Sequence, residues 1–102
     1  MVIKIPGRYL TIRILYPGPG RKDDILNAVE EVSKVARKHE GLVEIGAWLD
    51  AENDRIVNIS LWESREQAIK ATQEMHPLFA HIPWSEWERK PAKNFLGLTR
   101  VV

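Results

Sequence analysis

The chain has 102 residues, with 15 Lys and Arg against 14 Asp and Glu, a formal charge of +1 and no cysteine. This length suits one small domain over 1–102, and a near-neutral balance without a basic block argues against a nucleic-acid partner. Lack of cysteine excludes disulfides, thiolate chemistry and Cys-ligated zinc or iron–sulfur centres; with no signal core in Met1 to Pro6 and no apolar run approaching a membrane span, a cytoplasmic protein without a membrane partner is expected.

Tyr9 to Tyr16 alternates with β-branched residues and runs into Pro17-Gly18-Pro19-Gly20, a turn cluster that no strand or helix crosses. From Lys22 to His39, Ile25, Val29, Val32 and Ala36 recur at helical spacing, and Leu26 and Val35 widen the stripe. Asp23 and Asp24 near its start, Arg37, Lys38 and His39 near its end and Gly41 beyond it all suit the helix dipole and a C-terminal cap. His39 reads as a solvated helix end. Leu42 to Asp50 and Arg55 to Trp62 are strand-like, and the short polar connection Ala51 to Asp54 makes them an antiparallel hairpin. Ser64, with Gln67 as its capping-box partner, opens a second helix to about Met75, with Ala68, Ile69, Thr72 and Met75 facing inward. His76 to Trp87 carries two His, two Trp and two Pro, and reads as a loop with a short helical piece. After Pro91, Asn94 to Val102 forms a last strand.

The order βαββαβ resolves most simply as a ferredoxin-like α+β sandwich, a four-stranded antiparallel sheet with both helices on one side. Its other face is then uncovered although both faces are largely apolar. Such a patch marks an interface, and a homodimer packed sheet to sheet, forming a dimeric α/β barrel, is its natural cover.

Asn58-Ile59-Ser60-Leu61-Trp62-Glu63-Ser64 joins a structural boundary to possible chemistry. Alternation turns Asn58, Ser60 and Trp62 one way and Val57, Ile59 and Leu61 the other, while the Ser64 cap sets where the helix starts. In this order of elements, the Trp62-Glu63-Ser64 corner followed by His76-Pro77 resembles the antibiotic biosynthesis monooxygenase family of dimeric α/β barrels, over roughly Tyr9 to Val102. The family includes cofactor-independent oxygenases of aromatic phenols or quinols, haem-degrading oxygenases, small-molecule signal-processing enzymes and many members with no established activity.

The resemblance implies a monooxygenase that takes a small aromatic substrate and dioxygen without a cofactor. Asn58 and Trp62 match an Asn and Trp pair that orients the substrate and its reacting oxygen in the cofactor-independent branch. His76, or His81, would accept the phenolic proton, and Thr11, His81 and Trp84 would contact the substrate. Arg13 or Arg100 would hold an acidic substituent if its strand face opens to the pocket. The haem-degrading branch expects an Asn on the first strand and a His in the middle of the second helix, where this chain has Thr11 and Arg13, and Ala71 and Thr72. A non-catalytic small-molecule-binding or stress-related dimer of the same fold is the alternative.

Each candidate also has a plain structural role. Asn58 suits a partner for a strand-edge or bulge backbone group, Trp62 a core aromatic bracing the second helix, and His76 a compensator of the last helix carbonyls. His81, Trp84 and Trp87 suit packing over the sheet or across a dimer contact. His76, His81 and Glu86 lack metal-ligand spacing, so no metal is expected. Aliphatic composition alone would place Val57, Ile59 and Leu61 under the helices. The resemblance turns Asn58 and Trp62 toward a cleft between sheet and second helix instead, and that assignment is the one adopted.

Overall fold

The computed structural model describes residues 8–99. Its elements are β1 (Tyr9–Leu15), α1 (Lys22–Ala36), β2 (Leu42–Asp50), β3 (Arg55–Trp62), α2 (Arg65–Phe79), α3 (Trp84–Trp87) and β4 (Lys93–Thr99). They form one antiparallel sheet of order β2-β3-β1-β4, the ferredoxin-like α+β arrangement expected from the element order. Arg100 and the expected end of the last strand at Val102 lie outside the described residues.

Both helices lie on the same face of the sheet, over two separate apolar clusters. Ile25 and Val29 of α1 close on Leu15 and Ile56, with Trp84 and Trp87 of α3 at the margin. Ala68 and Ala71 of α2 close on Trp62, with Tyr9, Leu42 and Met75 beside it. The alanines explain the close approach, because a side chain of one carbon lets the α2 backbone sit directly on the indole ring. Burying the aliphatic side chains of the first cluster contributes about 1.5–3 kcal/mol each.

Two helix ends depart from the sequence reading. The α1 helix stops at Ala36 rather than His39, and the chain tightens into i→i−3 bonds, Lys38 N–H to the Val35 carbonyl and His39 N–H to the Ala36 carbonyl. His39 is no solvated end: its Nδ1 lies 3.1 Å from the Val35 carbonyl and its Nε2 3.1 Å from a Glu74 carboxylate oxygen on α2. Gly41 follows at φ +93, and a Cβ there would come within 2.5 Å of the Gln67 side chain, so this turn requires glycine.

The α2 helix, in contrast, continues past Met75 to Phe79 with Pro77 inside it. Proline removes the bond that would reach the carbonyl of Gln73, an exposed residue, so that carbonyl can turn to solvent and the last turn survives. At the other end Ser64 Oγ accepts from the Gln67 N–H at 3.2 Å and donates to Gln67 Oε1 at 3.0 Å. The expected cap forms, with the Gln67 side chain gripping the serine hydroxyl.

The opposite face carries Leu10, Ile12 and Ile14 of β1 beside Val57, Ile59 and Leu61 of β3. Trp48, paired with Val57, Phe95, paired with Ile12, and Leu98, paired with Leu10, lie on the same face and are 53%, 45% and 40% exposed. Trp48 folds back over Gly46, where a Cβ would stand 3.1 Å from the indole. A register shift between Leu10 and Ile12 on the β4 side accommodates Gly97 at φ +80.

Candidate functional site

The two central strands are in register on the helix side, row by row. Leu15 pairs with Ile56, Arg13 with Asn58, Thr11 with Ser60 and Tyr9 with Trp62. The outer rows belong to the two apolar clusters. The inner rows are polar, so a band of Arg13, Asn58, Thr11 and Ser60 crosses the middle of what would otherwise be a continuous core. Four polar side chains at core-facing positions of interior strands oppose folding unless they are satisfied, and such a band is a strong pointer to a site.

Half of the band is satisfied internally. The hydroxyls of Thr11 and Ser60 are hydrogen-bonded to each other, and the Trp62 indole N–H donates to Ser60 Oγ at 3.1 Å. Since Trp62 is only 3% exposed, this bond meets the need of a buried donor and holds the ring against α2.

The other half is not. Arg13 Nε and Asn58 Oδ1 are buried without a hydrogen-bond partner, as is Glu88 Oε1, which follows α3. The nearest approach of cation to carboxylate, Arg13 Nη2 to Glu88 Oε1, is 4.0 Å, an ion pair too long for a hydrogen bond. The guanidinium carbon sits 4.9 Å from the centre of the Trp84 ring, within cation–π range. Burial pulls the Arg13 pKa below its ordinary value, and the Glu88 charge opposes that shift. Arginine stays protonated through such a shift, so Arg13 is a fixed positive charge rather than a proton carrier.

A cleft opens beside Arg13, between residues of α1, α2 and α3. Arg13, Thr72, His76 and Trp84 form the polar and aromatic wall of this cleft of about 510 Å³, and Val32, Met75, Phe79 and Ala80 form its apolar wall. That volume and mixture suit a small organic ligand. A second recess of about 490 Å³ shares Arg13 and Trp84 and is bounded by Glu88 and Asn94. The Arg13–Trp84 pair therefore stands between two openings.

The residues singled out from sequence fall into three groups. His76, in the last turn of α2, and Trp84, on α3, line the larger cleft. Asn58 sits behind it, across the strand pair from Arg13, while Thr11 and Trp62 occupy the next two rows and are joined through Ser60. His81 is exposed beyond the end of α2 and does not line the cleft. Glu88 escaped the sequence reading, because a glutamate after a short Trp-Ser-Glu-Trp helix carries no periodic signal. The importance of Arg13 was legible in part, since its spacing from Tyr9 and Leu15 puts a charge in phase with core residues. Among the described residues no three His, Asp or Glu side chains come together as a metal-binding group, and no helix is long and apolar enough to cross a membrane.

No protein-family model matches the chain, and no curated protein matches it by sequence. Solved structures do match in fold. A candidate antibiotic biosynthesis monooxygenase of Nitrosomonas europaea superposes with a TM-score of 0.78 at 17% identity, covering 95% of this chain and 96% of its own. Rv0793 of Mycobacterium tuberculosis superposes with a TM-score of 0.76 at 14% identity, covering 94% of this chain and all of its own. SnoaB, a cofactor-independent oxygenase of Streptomyces nogalater solved as an asparagine-to-alanine variant, gives 0.71 at 8% identity over 92% of this chain and 96% of its own. At these identities the likeness is one of fold, and at that level the resemblance to the antibiotic biosynthesis monooxygenases holds.

Proposed function

We propose that the protein is a cofactor-independent monooxygenase of a small aromatic phenol or quinol, acting as a homodimer. The observation that carries this reading is a largely apolar cleft lined by Arg13, with Asn58 beside Arg13 in the strand pair and both holding a buried polar atom without a hydrogen-bond partner, in a fold shared with a cofactor-independent oxygenase. Oxygenation without metal or flavin requires a substrate whose own anion reduces dioxygen. In sum, a quinol becomes a hydroxyquinone: one oxygen atom replaces a ring hydrogen as a hydroxyl, the other leaves as water with two substrate hydrogens, and the quinol supplies all four electrons.

In this reading His76, on the cleft wall, accepts the phenolic proton. The Asn58 amide stabilises the oxyanion that develops as dioxygen adds, and Trp84 packs against the aromatic ring. Trp62 and Thr11 act as positioning residues through Ser60, since the indole N–H is already engaged there. His81 takes no part. The apolar face bearing Trp48, Phe95 and Leu98 is the dimer surface, a role supported by its breadth and exposure.

The haem-degrading alternative fits these residues poorly. At the positions where it expects Asn and His, β1 turns Thr11 and Arg13 toward the helices and the middle of α2 carries buried Ala71 and exposed Thr72. Oxygen-electrode measurements with a panel of hydroquinones test the oxygenase reading. The wild type consumes oxygen, and Asn58→Ala slows consumption by about 100-fold, the usual effect of deleting one oxyanion donor. No uptake by the wild type, or equal uptake by Asn58→Ala, leaves the non-catalytic binding dimer in its place.

A further inference from the structure

We infer that Arg13 is the specificity-determining residue of the cleft and that the ligand it selects is a planar aromatic monoanion bearing a carboxylate. The inference deepens the proposed function, on which it rests for the aromatic nature of the ligand. Its own basis is the state of Arg13. This side chain stands on an interior strand among core-facing positions, its Nε is buried without an acceptor, and the closest carboxylate is 4.0 Å away. The side chain is 38% exposed and lines the cleft, so the acceptor that its guanidinium lacks is one a ligand in the cleft can supply. A carboxylate fits best, because two parallel N–H donors of a guanidinium match its two oxygens.

Two features narrow the class further. Glu88 stands on the same side, its buried Oε1 4.0 Å from Arg13 Nη2 and without a hydrogen-bond partner, so its carboxylate repels an incoming anion and disfavours a dianion such as a phosphate monoester more than a monoanion. The Trp84 ring, 4.9 Å from the guanidinium carbon, and the apolar wall of Met75 and Phe79 favour a flat ring over a charged aliphatic. Thr72 and His76 remain on the cleft wall to meet a ring hydroxyl. The ligand is thus a hydroxylated aromatic carboxylate, with its acid on Arg13 and its hydroxyl toward α2.

Isothermal titration calorimetry of the full chain near neutral pH, with hydroxynaphthoate, naphthol and naphthyl phosphate as probes, tests this. The wild type binds hydroxynaphthoate at least about tenfold more tightly than naphthol, the order expected for one charge-assisted contact, and naphthyl phosphate more weakly than hydroxynaphthoate. Arg13→Gln abolishes the preference for the carboxylate, so that hydroxynaphthoate and naphthol bind alike, whereas Arg13→Lys keeps only part of it. Glu88→Gln, which retains the cation, tightens naphthyl phosphate and keeps the test decisive if Arg13→Gln does not fold. Equal affinity for hydroxynaphthoate and naphthol, a preference that survives in Arg13→Gln, no binding of any probe, or no effect of Glu88→Gln on the phosphate overturns the inference. Binding is read without turnover. A carboxylate preference without oxygen uptake refutes the oxygenase and leaves this inference standing, and oxygen uptake without the preference does the reverse.

Discussion

Ser60 holds two neighbours at once, and removing it should cost as much as removing a far larger side chain. Its hydroxyl meets Thr11 across the strand pair and accepts the Trp62 indole N–H at 3.1 Å. In Trp62→Phe the donor disappears, which forfeits about 1 kcal/mol for the net hydrogen bond. Losing about 40 Å² of ring surface adds about 1 kcal/mol at roughly 25 cal/mol/Å². In Ser60→Ala nothing replaces the acceptor: stranding the N–H of a ring buried to 3% exposure, with a lesser penalty at half-buried Thr11, costs about 2 kcal/mol in all. Each variant should therefore lower the melting temperature by roughly 8–16 °C. The double variant is the sharper test, because Phe has no N–H to strand. Ser60→Ala with Trp62→Phe should be at least about 1 kcal/mol more stable than the sum of the single effects predicts. Urea unfolding followed by circular dichroism measures all three. Additivity within about 0.5 kcal/mol would mean that Ser60 and Trp62 are not coupled, and the account of the band as half-satisfied would fail.

Arg89 is the second structural node. Its guanidinium donates to the carbonyls of Pro17, Asp54 and Asn53 at 2.9, 2.7 and 3.2 Å, tying the hairpin turn to the exit of β1. Arg89→Met should destabilise by about 1–2 kcal/mol, discounted for its partial exposure, and hydrogen exchange should quicken first at Gly18, whose N–H donates to the Trp87 carbonyl at 2.7 Å beside the Pro17 carbonyl that Arg89 holds; unchanged protection there would contradict the tie. At the same hairpin, the hydrogen bond from the Asn53 side chain, and next that from Arg55, hold the Asp50 carboxyl below its ordinary pKa. A depressed folded pKa contributes stability that is present above the unfolded value of about 3.9 and is lost as pH falls through the folded one. Wild type should exceed Asp50→Asn in stability near neutral pH and lose that margin in acid below about pH 4, and a margin that grew with acid would reverse the sign of the argument. Finally, Trp48→Glu should shift sedimentation at micromolar concentration from dimer to monomer without unfolding the protein, since this ring lies on the exposed sheet face. A wild-type monomer would remove the dimer from the proposed function.

Much of the fold was legible because its signals are local. The Pro17 to Gly20 cluster, the spacing of Ile25, Val29 and Ala36, and the Ser64 cap each act within a few residues, and all stand where the sequence put them. The two helix ends were misplaced for different reasons, one tertiary and one local. His39 reaches Glu74 on α2 besides its own Val35 carbonyl, which ties the end of α1 to α2, while α2 runs through Pro77 because the carbonyl left unbonded belongs to exposed Gln73. Glu74 is not visible as a partner from the sequence around His39.

The site divides along the same line. Alternation alone determined that Asn58, Ser60 and Trp62 share a face, and that Arg13 lies in phase with Tyr9 and Leu15, because a strand's period of two needs no tertiary information. Tertiary structure decided that these faces meet under the helices, that Thr11 satisfies Ser60 while Arg13 Nε and Asn58 Oδ1 stay without a hydrogen-bond partner, and that Glu88 and Trp84 arrive beside Arg13 from a segment with no periodic pattern. Register and packing bring together residues that chain order separates. The identity of the polar residues is thus written in the sequence, while their use depends on which of them the folded chain leaves unsatisfied beside open space.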